Sequence, residues 1–231
     1  MADGRDYSMD TATSLLDREV YGVSQVDRIL GLSRGTARRW IDGYERLGTQ
    51  YEPIVRHQPT GSPLVTWGEF VETRLISEYR NAGVSTFRMR PAIEALRHEF
   101  GMTHPLATSR PFVDVEGCEL VQRVQDKTNL DRSLWFVIRS GQMVLPSMAV
   151  RRFQQEAEYD NGGTVIRFHL AENVVLDPDY ASGEPTIRGR RLRVYDIVEA
   201  VTAGESEDSI KAMWSLTDQQ YSDAVRQSKI A

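Results

Sequence analysis

The stretch from Val23 to Ile41 constrains the fold more than any other part of this 231-residue chain. Its apolar residues recur at helical spacing on both sides of Gly31, and a glycine between two short amphipathic segments supplies the tight turn of a helix-turn-helix. We expect Ser24 to cap the first helix and Ser33 to cap the second. The stretch therefore predicts two short helices that pack together through their apolar faces.

The second of these helices has a basic outward face. At about 100° per residue, the centre and flanks of this face are formed by Gly35, Thr36, Arg38, Arg39 and Asp42. Glycine lets a backbone approach a DNA groove closely, and arginine can bind a phosphate or a guanine edge. Arg34 lies near the helix N-terminus, where anions are favoured. We therefore expect Arg34, Gly35, Thr36, Arg38 and Arg39 to contact DNA.

The pattern Val-Ser-x-Val-x-x-Ile-Leu-Gly-Leu-Ser, followed by a basic helix ending in Trp-Ile, resembles the winged helix-turn-helix of MerR-like regulators over about residues 20–83. Prolines and glycines separate short β-prone pieces in Tyr51–Val65, which predicts a hairpin or wing there. Since the wing of that family also contacts DNA, the resemblance places Arg56, His57 and Thr60 at the DNA backbone. The chain lacks the sensing cysteine and the long coiled coil of the family, so a drug- or metal-sensing role is not implied.

An enzymatic alternative rests on Gly31-Leu-Ser33-Arg-Gly35, which matches the G-x-S-x-G pattern of hydrolases. That pattern needs a strand before the serine, whereas the preceding residues have helical spacing, so a capping role for Ser33 is favoured. The histidines are scattered without ligand spacing, at His57, His98, His104 and His169, and Cys118 is the only cysteine. We therefore expect no catalytic residues, no metal and no cofactor.

From Thr66 onward the sequence predicts two helices and then a mixed region. Thr66 with Glu69 forms a capping box, and the second helix, which contains Pro91, ends near Phe100. Pro91 is tolerated only in the first turn of that helix or at a kink. The strands expected from β-branched and aromatic residues are Phe112–Val124, Leu134–Leu145 and Thr164–Leu170, with a helix capped by Ser147 between the last two.

A second informative stretch is Gly183-Glu-Pro-Thr-Ile-Arg-Gly-Arg-Arg-Leu-Arg-Val. Pro185 and Gly189 shape a turn, and the apolar residues within and after this stretch predict one small core. These core residues are Ile187, Leu192, Val194, Ile197, Val201, Ile210 and Met213.

With Asp177-Pro178 before it and Gly204-x-Ser206 after it, this stretch resembles the small bacterial modules encoded beside PIN-domain ribonuclease toxins. Arg190 departs from that pattern, because threonine is usual at its position. Together with the winged helix-turn-helix, the chain resembles the larger VapB antitoxins of mycobacteria. The resemblance implies a cognate PIN-domain ribonuclease toxin and operator DNA as partners, with repression of the protein's own operon, and operator half-sites are usually read by dimers.

The candidate toxin-binding residues are a basic cluster and two aromatic side chains, Arg188, Arg190, Arg191, Arg193, Tyr195 and Trp214. Arginines could pair with the carboxylates of a PIN active site, or the aromatic residues could fill a groove. The same arginines could equally form a solvated edge that discourages strand aggregation.

The net charge of −5 argues against binding nucleic acid through bulk positive charge, so any DNA contact must be local. The polar start, Met1–Asp10, and the lack of any run near ~20 apolar residues predict a cytoplasmic protein without a membrane span.

We expect an α+β chain in three parts: a winged helix-turn-helix domain over 14–103, a small mixed middle domain over 104–170, and a compact helical bundle over 171–231. The alternative function is a regulator that responds to a small ligand and has no toxin partner. Its ligand would lie among Phe112, Trp135, Phe136 and Phe153, although these residues are more simply assigned to a core.

Overall fold

The computed structural model describes residues 15–81, 86–108, 137–139, 142–144 and 148–228. Within these ranges the fold is α+β, as predicted, with helices at both ends of the chain and several small antiparallel sheets. No helix in the described ranges is long and apolar enough to cross a membrane.

The front of the molecule is a helix-turn-helix framed by short strands. Its elements are β1 (Glu19–Gly22), α1 (Val23–Ile29), α2 (Thr36–Asp42), β2 (Tyr44–Arg46), β3 (Thr49–Tyr51) and β4 (Leu64–Thr66). β1 pairs antiparallel with β4, and β2 pairs antiparallel with β3. Gly31 has a φ of 61° between the two helices, so the predicted glycine turn is confirmed.

Two longer helices, α3 (Trp67–Asn81) and α4 (Thr86–Phe100), pack behind the front elements. The predicted capping box is present, since Glu69 N–H donates to Thr66 Oγ1 at 3.2 Å and Thr66 N–H donates to Glu69 Oε2 at 2.9 Å. Pro91 lies inside α4, beyond its first turn.

A four-stranded antiparallel sheet follows, in the spatial order β10-β9-β8-β7. Its strands are β7 (Ala157–Tyr159), β8 (Val165–Ala171), β9 (Val174–Leu176) and β10 (Pro185–Ile187). The sheet joins strands from both sides of the predicted boundary at residues 170–171, because β8 runs through Ala171 and then turns back to pair with β9. The indole of Trp67 donates to Val165 O at 2.7 Å, which ties α3 to this sheet.

The remaining helices are α5 (Met148–Glu156), α6 (Val194–Thr202), α7 (Glu207–Trp214) and α8 (Asp218–Ser228). A large core joins the front helices to α5 and the sheet, and a smaller core lies under α6, α7 and α8. Most of the predicted small core is confirmed, with Ile187, Ile197 and Ile210 fully buried. Met213 is the exception, because its side chain points outward and is 59% exposed.

Several sequence-based expectations lie outside the described residues. They are the strand at Phe112–Val124, the cap at Ser147, Cys118, and the aromatic residues Phe112, Trp135 and Phe136. Within Leu134–Leu145 the structure shows β5 (Val137–Arg139) paired with β6 (Gln142–Val144). Phe153 is buried in the large core with its ring 5.3 Å from that of Phe168, so it packs as a core residue.

Candidate nucleic-acid and partner interfaces

The orientation of α2 is fixed by a buried carboxylate from α1. Asp27 accepts hydrogen bonds from Gly35 N–H at 2.6 Å and Ala37 N–H at 2.7 Å. These are the unpaired donors at the start of α2, so Asp27 caps this helix from outside its own sequence. The predicted cap at Ser33 is wrong, because the N-cap is Gly35, two residues later and in a left-handed conformation, and the helix begins at Thr36.

The cap of α1 also differs from the prediction. Ser24 lies inside the helix, and Gly22 is the N-cap. The Gln25 side chain accepts a hydrogen bond from Gly22 N–H at 3.3 Å. The cap predicted at Ser24 is therefore wrong, and the side-chain hydrogen bond at this helix start joins Gln25 to the N-cap backbone.

The exposed face of α2 is basic. Arg34, Arg38 and Arg39 are all exposed, and Arg34 has no ion pair within the part of the chain that the structure describes. Arg39 donates to Thr36 Oγ1 at 2.9 Å, and Arg38 lies 3.7 Å from Asp42. Among the described residues, no heavy atom other than those of its chain neighbours lies within 4 Å of a Cβ built on Gly35, so these residues leave the start of the helix open to an approaching surface.

Asp42, at the end of α2, is not part of this exposed face, since its side chain is buried. Its carboxylate accepts hydrogen bonds from Thr60 N–H at 2.7 Å and Gly61 N–H at 3.0 Å. Burial disfavours the charged form, but the hydrogen bonds from Thr60, Arg56 and Gly61 outweigh it and lower the pKa of Asp42.

Arg56 does not face DNA as the resemblance implied, because its guanidinium lies inside the protein. It donates to Asp42 Oδ1 at 2.9 Å, to Glu69 Oε1 at 2.6 Å and to Leu64 O at 2.6 Å. Burial opposes its charge, but the hydrogen bonds and charges of Glu69 and Asp42 outweigh burial and raise the pKa of Arg56. The donors of Arg56 stabilise the fold and are not available to phosphate.

The wing also lies elsewhere than predicted. The hairpin occupies Tyr44–Tyr51, directly after α2, and residues 52–63 form the loop that holds Arg56. Gly43 permits this arrangement, because it has a φ of 75° and an added Cβ would lie 2.6 Å from Tyr51 O. All residues of the hairpin are exposed, and the rings of Tyr44 and Tyr51 stack with centroids 4.6 Å apart.

Of the other expected wing contacts, His57 is exposed and its Nδ1 lies 3.1 Å from Glu94 Oε2. Thr60 takes part in the Arg56–Asp42 network, since its hydroxyl accepts from Arg56 at 2.6 Å. Of the three predicted wing residues, His57 and Thr60 are exposed and Arg56 is buried.

The four arginines of the C-terminal cluster contact four different neighbours. Arg188 donates to His169 Nδ1 at 2.9 Å, Arg193 pairs with Asp196 at 2.5 Å, and Arg191 lies 5.7 Å from the ring centroid of Tyr180. Arg190 donates to Trp214 O at 2.5 Å, where it satisfies a carbonyl at the end of α7. Arg190 therefore has a structural role, and the other three remain exposed.

The two aromatic candidates differ in exposure. Tyr195 is 47% exposed on α6, and the guanidinium of Arg28 lies 5.5 Å from its ring centroid. Trp214 is half-buried against the smaller core. Tyr195 is thus the more accessible of the two.

A contact between the front elements and the C-terminal module was not anticipated from sequence. The Tyr21 hydroxyl donates to Gly183 O at 2.8 Å, and Gln25 donates to Glu184 Oε1 at 2.5 Å. Arg28 also pairs with Glu184. The only sequence signal was the position of Glu184 beside the glycine and proline of the turn motif, and nothing local pointed to α1 as its partner.

Neither a metal site nor the hydrolase arrangement is seen in the described ranges. No group of three or more histidine, cysteine or acidic side chains there could hold a metal ion. Ser33 lies in the turn after α1, so a helix precedes it where the hydrolase pattern requires a strand.

The C-terminal part of the chain matches a known protein family, and the whole fold matches a solved structure. Residues 174–226, which cover β9 to α8, match the family described as "Protein of unknown function (DUF433)". The whole fold resembles the X-ray crystal structure of Rv2018 from Mycobacterium tuberculosis, with a TM-score of 0.71 and 26% identity, over 91% of this chain and 99% of that one.

Two relatives that match over nearly the whole chain identify its family. The chain is 38% identical to "Uncharacterized protein Rv2308" of M. tuberculosis, over 95% of this chain and 94% of that protein. It is 30% identical to "Putative antitoxin VapB45" of the same organism, over 90% and 93% respectively. Neither name describes an enzyme. The chain belongs to the family of these mycobacterial proteins, which is a toxin–antitoxin-like family.

Proposed function

We propose that this chain is the DNA-binding antitoxin of a toxin–antitoxin pair. In this proposal α2 contacts operator DNA, the C-terminal module binds a PIN-domain ribonuclease toxin, and the protein represses its own operon as a homodimer. The observation that carries the DNA-binding part is the exposed basic face of α2, which Asp27 holds rigidly against α1.

The distribution of charge supports local contact with DNA despite the net charge of −5. One continuous segment, made of the turn before α2, α2 itself and the hairpin that follows it, carries four exposed arginines: Arg34, Arg38, Arg39 and Arg46. Each can reach a phosphate or a base edge only if the duplex lies along this segment. The acidic residues elsewhere then limit non-specific binding.

The test of DNA binding is the double variant Arg38→Ala/Arg39→Ala in the full chain. Each lost contact is worth about 1–3 kcal/mol, so we expect affinity for the DNA upstream of its own coding sequence to fall at least tenfold, with a shallower salt dependence. Arg226→Ala, an exposed arginine on α8, is the matched control. Unchanged affinity in the double variant would exclude α2 as the DNA-contacting helix.

The toxin-binding part is supported by the name of the VapB45 relative and by the family match over residues 174–226. We assign to this surface the exposed residues Tyr195, Arg188, Arg191 and Arg193, together with the half-buried Trp214. Arg190 is left out because it holds the end of α7.

The corresponding test uses the product of the neighbouring gene as the candidate toxin. Full-length protein should bind it and inhibit its ribonuclease activity, whereas Tyr195→Ala or the triple variant Arg188→Ala/Arg191→Ala/Arg193→Ala should inhibit less. The DNA-binding variant Arg38→Ala/Arg39→Ala should inhibit normally. If that variant instead loses inhibition and the triple variant keeps it, the division of roles between the two ends of the chain is wrong.

A further inference from the structure

Leu47, at the tip of the β2–β3 hairpin, is unfavourable there for two reasons, its backbone conformation and its exposure to water. Leu47 has a φ of 53° and is followed by Gly48 with a φ of 74°, so two consecutive residues have positive φ, as in a type I′ turn. Asn, Asp and Gly are the residues that suit such positions. Leu47 is also 95% exposed, which leaves its whole apolar side chain in water. A residue that is unfavourable on both counts in the free protein suggests a contact made in a complex.

The hairpin has two chemically different faces. The register pairs Tyr44 with Tyr51 and Arg46 with Thr49, so these four side chains share one face. Glu45 and Gln50 form a pair on the other face. Arg46 makes no ion pair with any residue that the structure describes. One face therefore offers a free cation and hydroxyl groups beside an exposed apolar tip.

The positive charge of the hairpin and its position next to α2 favour a nucleic acid as the partner that contacts it. Gly43 is the only residue between α2 and the hairpin, so a duplex that receives α2 in its major groove passes close to the hairpin. Proteins that enter the minor groove combine arginine with an apolar wedge, and leucine is among the wedges used. A second protein chain would not require the run of exposed arginines from Arg34 to Arg46.

We propose that the hairpin inserts Leu47 into the minor groove as an apolar wedge, with Arg46 on a flanking phosphate, and that the duplex bends as a result. This inference rests on the DNA-binding function proposed above. It assigns to the hairpin a role that differs from that of α2, because the wedge reads how easily the duplex deforms and makes no hydrogen bond to a base.

The decisive variant is Leu47→Asn in the full chain. Asparagine accepts positive φ, so the hairpin should keep its fold while the wedge is lost. The probe is a duplex from upstream of the chain's own coding sequence, labelled at both ends for fluorescence energy transfer. We expect affinity to fall about tenfold or more from the lost burial of a leucine, the bend to decrease, and the salt slope to stay unchanged, because no charge is removed.

Two further variants test whether the bend depends specifically on the apolar side chain of Leu47. Arg46→Gln should lower the salt slope by about one unit while leaving most of the bend. Met213→Asn removes an exposed apolar side chain from α7 and should change none of these quantities. A polyamide that occupies the minor groove should compete with the wild-type protein more strongly than with Leu47→Asn.

The outcomes separate the wedge from the proposed function. If the wild-type protein binds neither this duplex nor any duplex selected from a random-sequence pool, both the wedge and the proposed DNA-binding function are wrong. If Arg38→Ala/Arg39→Ala weakens binding but Leu47→Asn binds and bends DNA like the wild type, the wedge is wrong and the function stands. If Leu47→Asn changes the sedimentation coefficient without DNA and leaves the bend intact, the hairpin is a self-association surface and the wedge is again wrong.

Discussion

Replacing Arg56 with methionine distinguishes a structural role for this residue from the DNA contact that its sequence position suggests. Methionine keeps an unbranched apolar stem but removes the guanidinium that lies between Asp42 and Glu69. Breaking a buried ion pair by removing one partner typically costs about 3–5 kcal/mol, because the other charge is left uncompensated.

The structure places the expected cost near the lower end of that range. Asp42 keeps hydrogen bonds from Thr60 N–H and Gly61 N–H, and Glu69 keeps the one from Thr66 N–H. We therefore expect the free energy of unfolding to fall by about 3 kcal/mol. For a chain of this size that corresponds to a decrease in Tm of roughly 6–12 °C.

Urea unfolding of the full chain measures this loss, with Arg226→Met as the control for removing an exposed arginine. A second comparison uses the triple variant Arg56→Met/Asp42→Asn/Glu69→Gln. Since it removes the stranded charges together with their partner, it should recover part of the stability lost in Arg56→Met. A variant that unfolds like the wild type but binds DNA more weakly would refute the structural role and restore the sequence-based interpretation of Arg56.

Three further predictions concern other buried contacts. Asp27→Ala should lower the free energy of unfolding by about 1–2 kcal/mol in urea, because α2 loses its cap. Burial opposes the charge on His104, but its hydrogen bond to a buried glutamate outweighs burial and raises its pKa from 6.5. The stability that the protonated form contributes is therefore present at lower pH and should decline as the pH rises above about 6.5, whereas His104→Gln should remove this decline. Gly183→Ala should destabilise more than Gly48→Ala in thermal unfolding. Both glycines have a φ of 74°, but only at Gly183 would the new Cβ lie 2.4 Å from the Tyr21 hydroxyl oxygen, so equal losses would argue against the clash.

The sequence alone determined the features that depend on local spacing. The apolar periodicity around Gly31 predicted the helix-turn-helix, the Thr66 and Glu69 pair predicted the start of α3, and the apolar residues after Gly189 predicted most of the smaller core. These features can be read from the chain because helical periodicity and capping connect residues within a few positions of each other.

The tertiary structure decided what each polar side chain does. Arg38 and Arg56 are both arginines in a segment expected to bind DNA, yet one is exposed and the other pairs with two buried carboxylates. Glu184 pairs with Arg28, more than 150 positions away in the chain. An arginine or a carboxylate has no preferred partner in its own sequence, because long-range ion pairs depend on which groups the fold brings within about 4 Å. The sequence therefore determined where the helices lie, and only the fold determined which of their charges remain available to a partner.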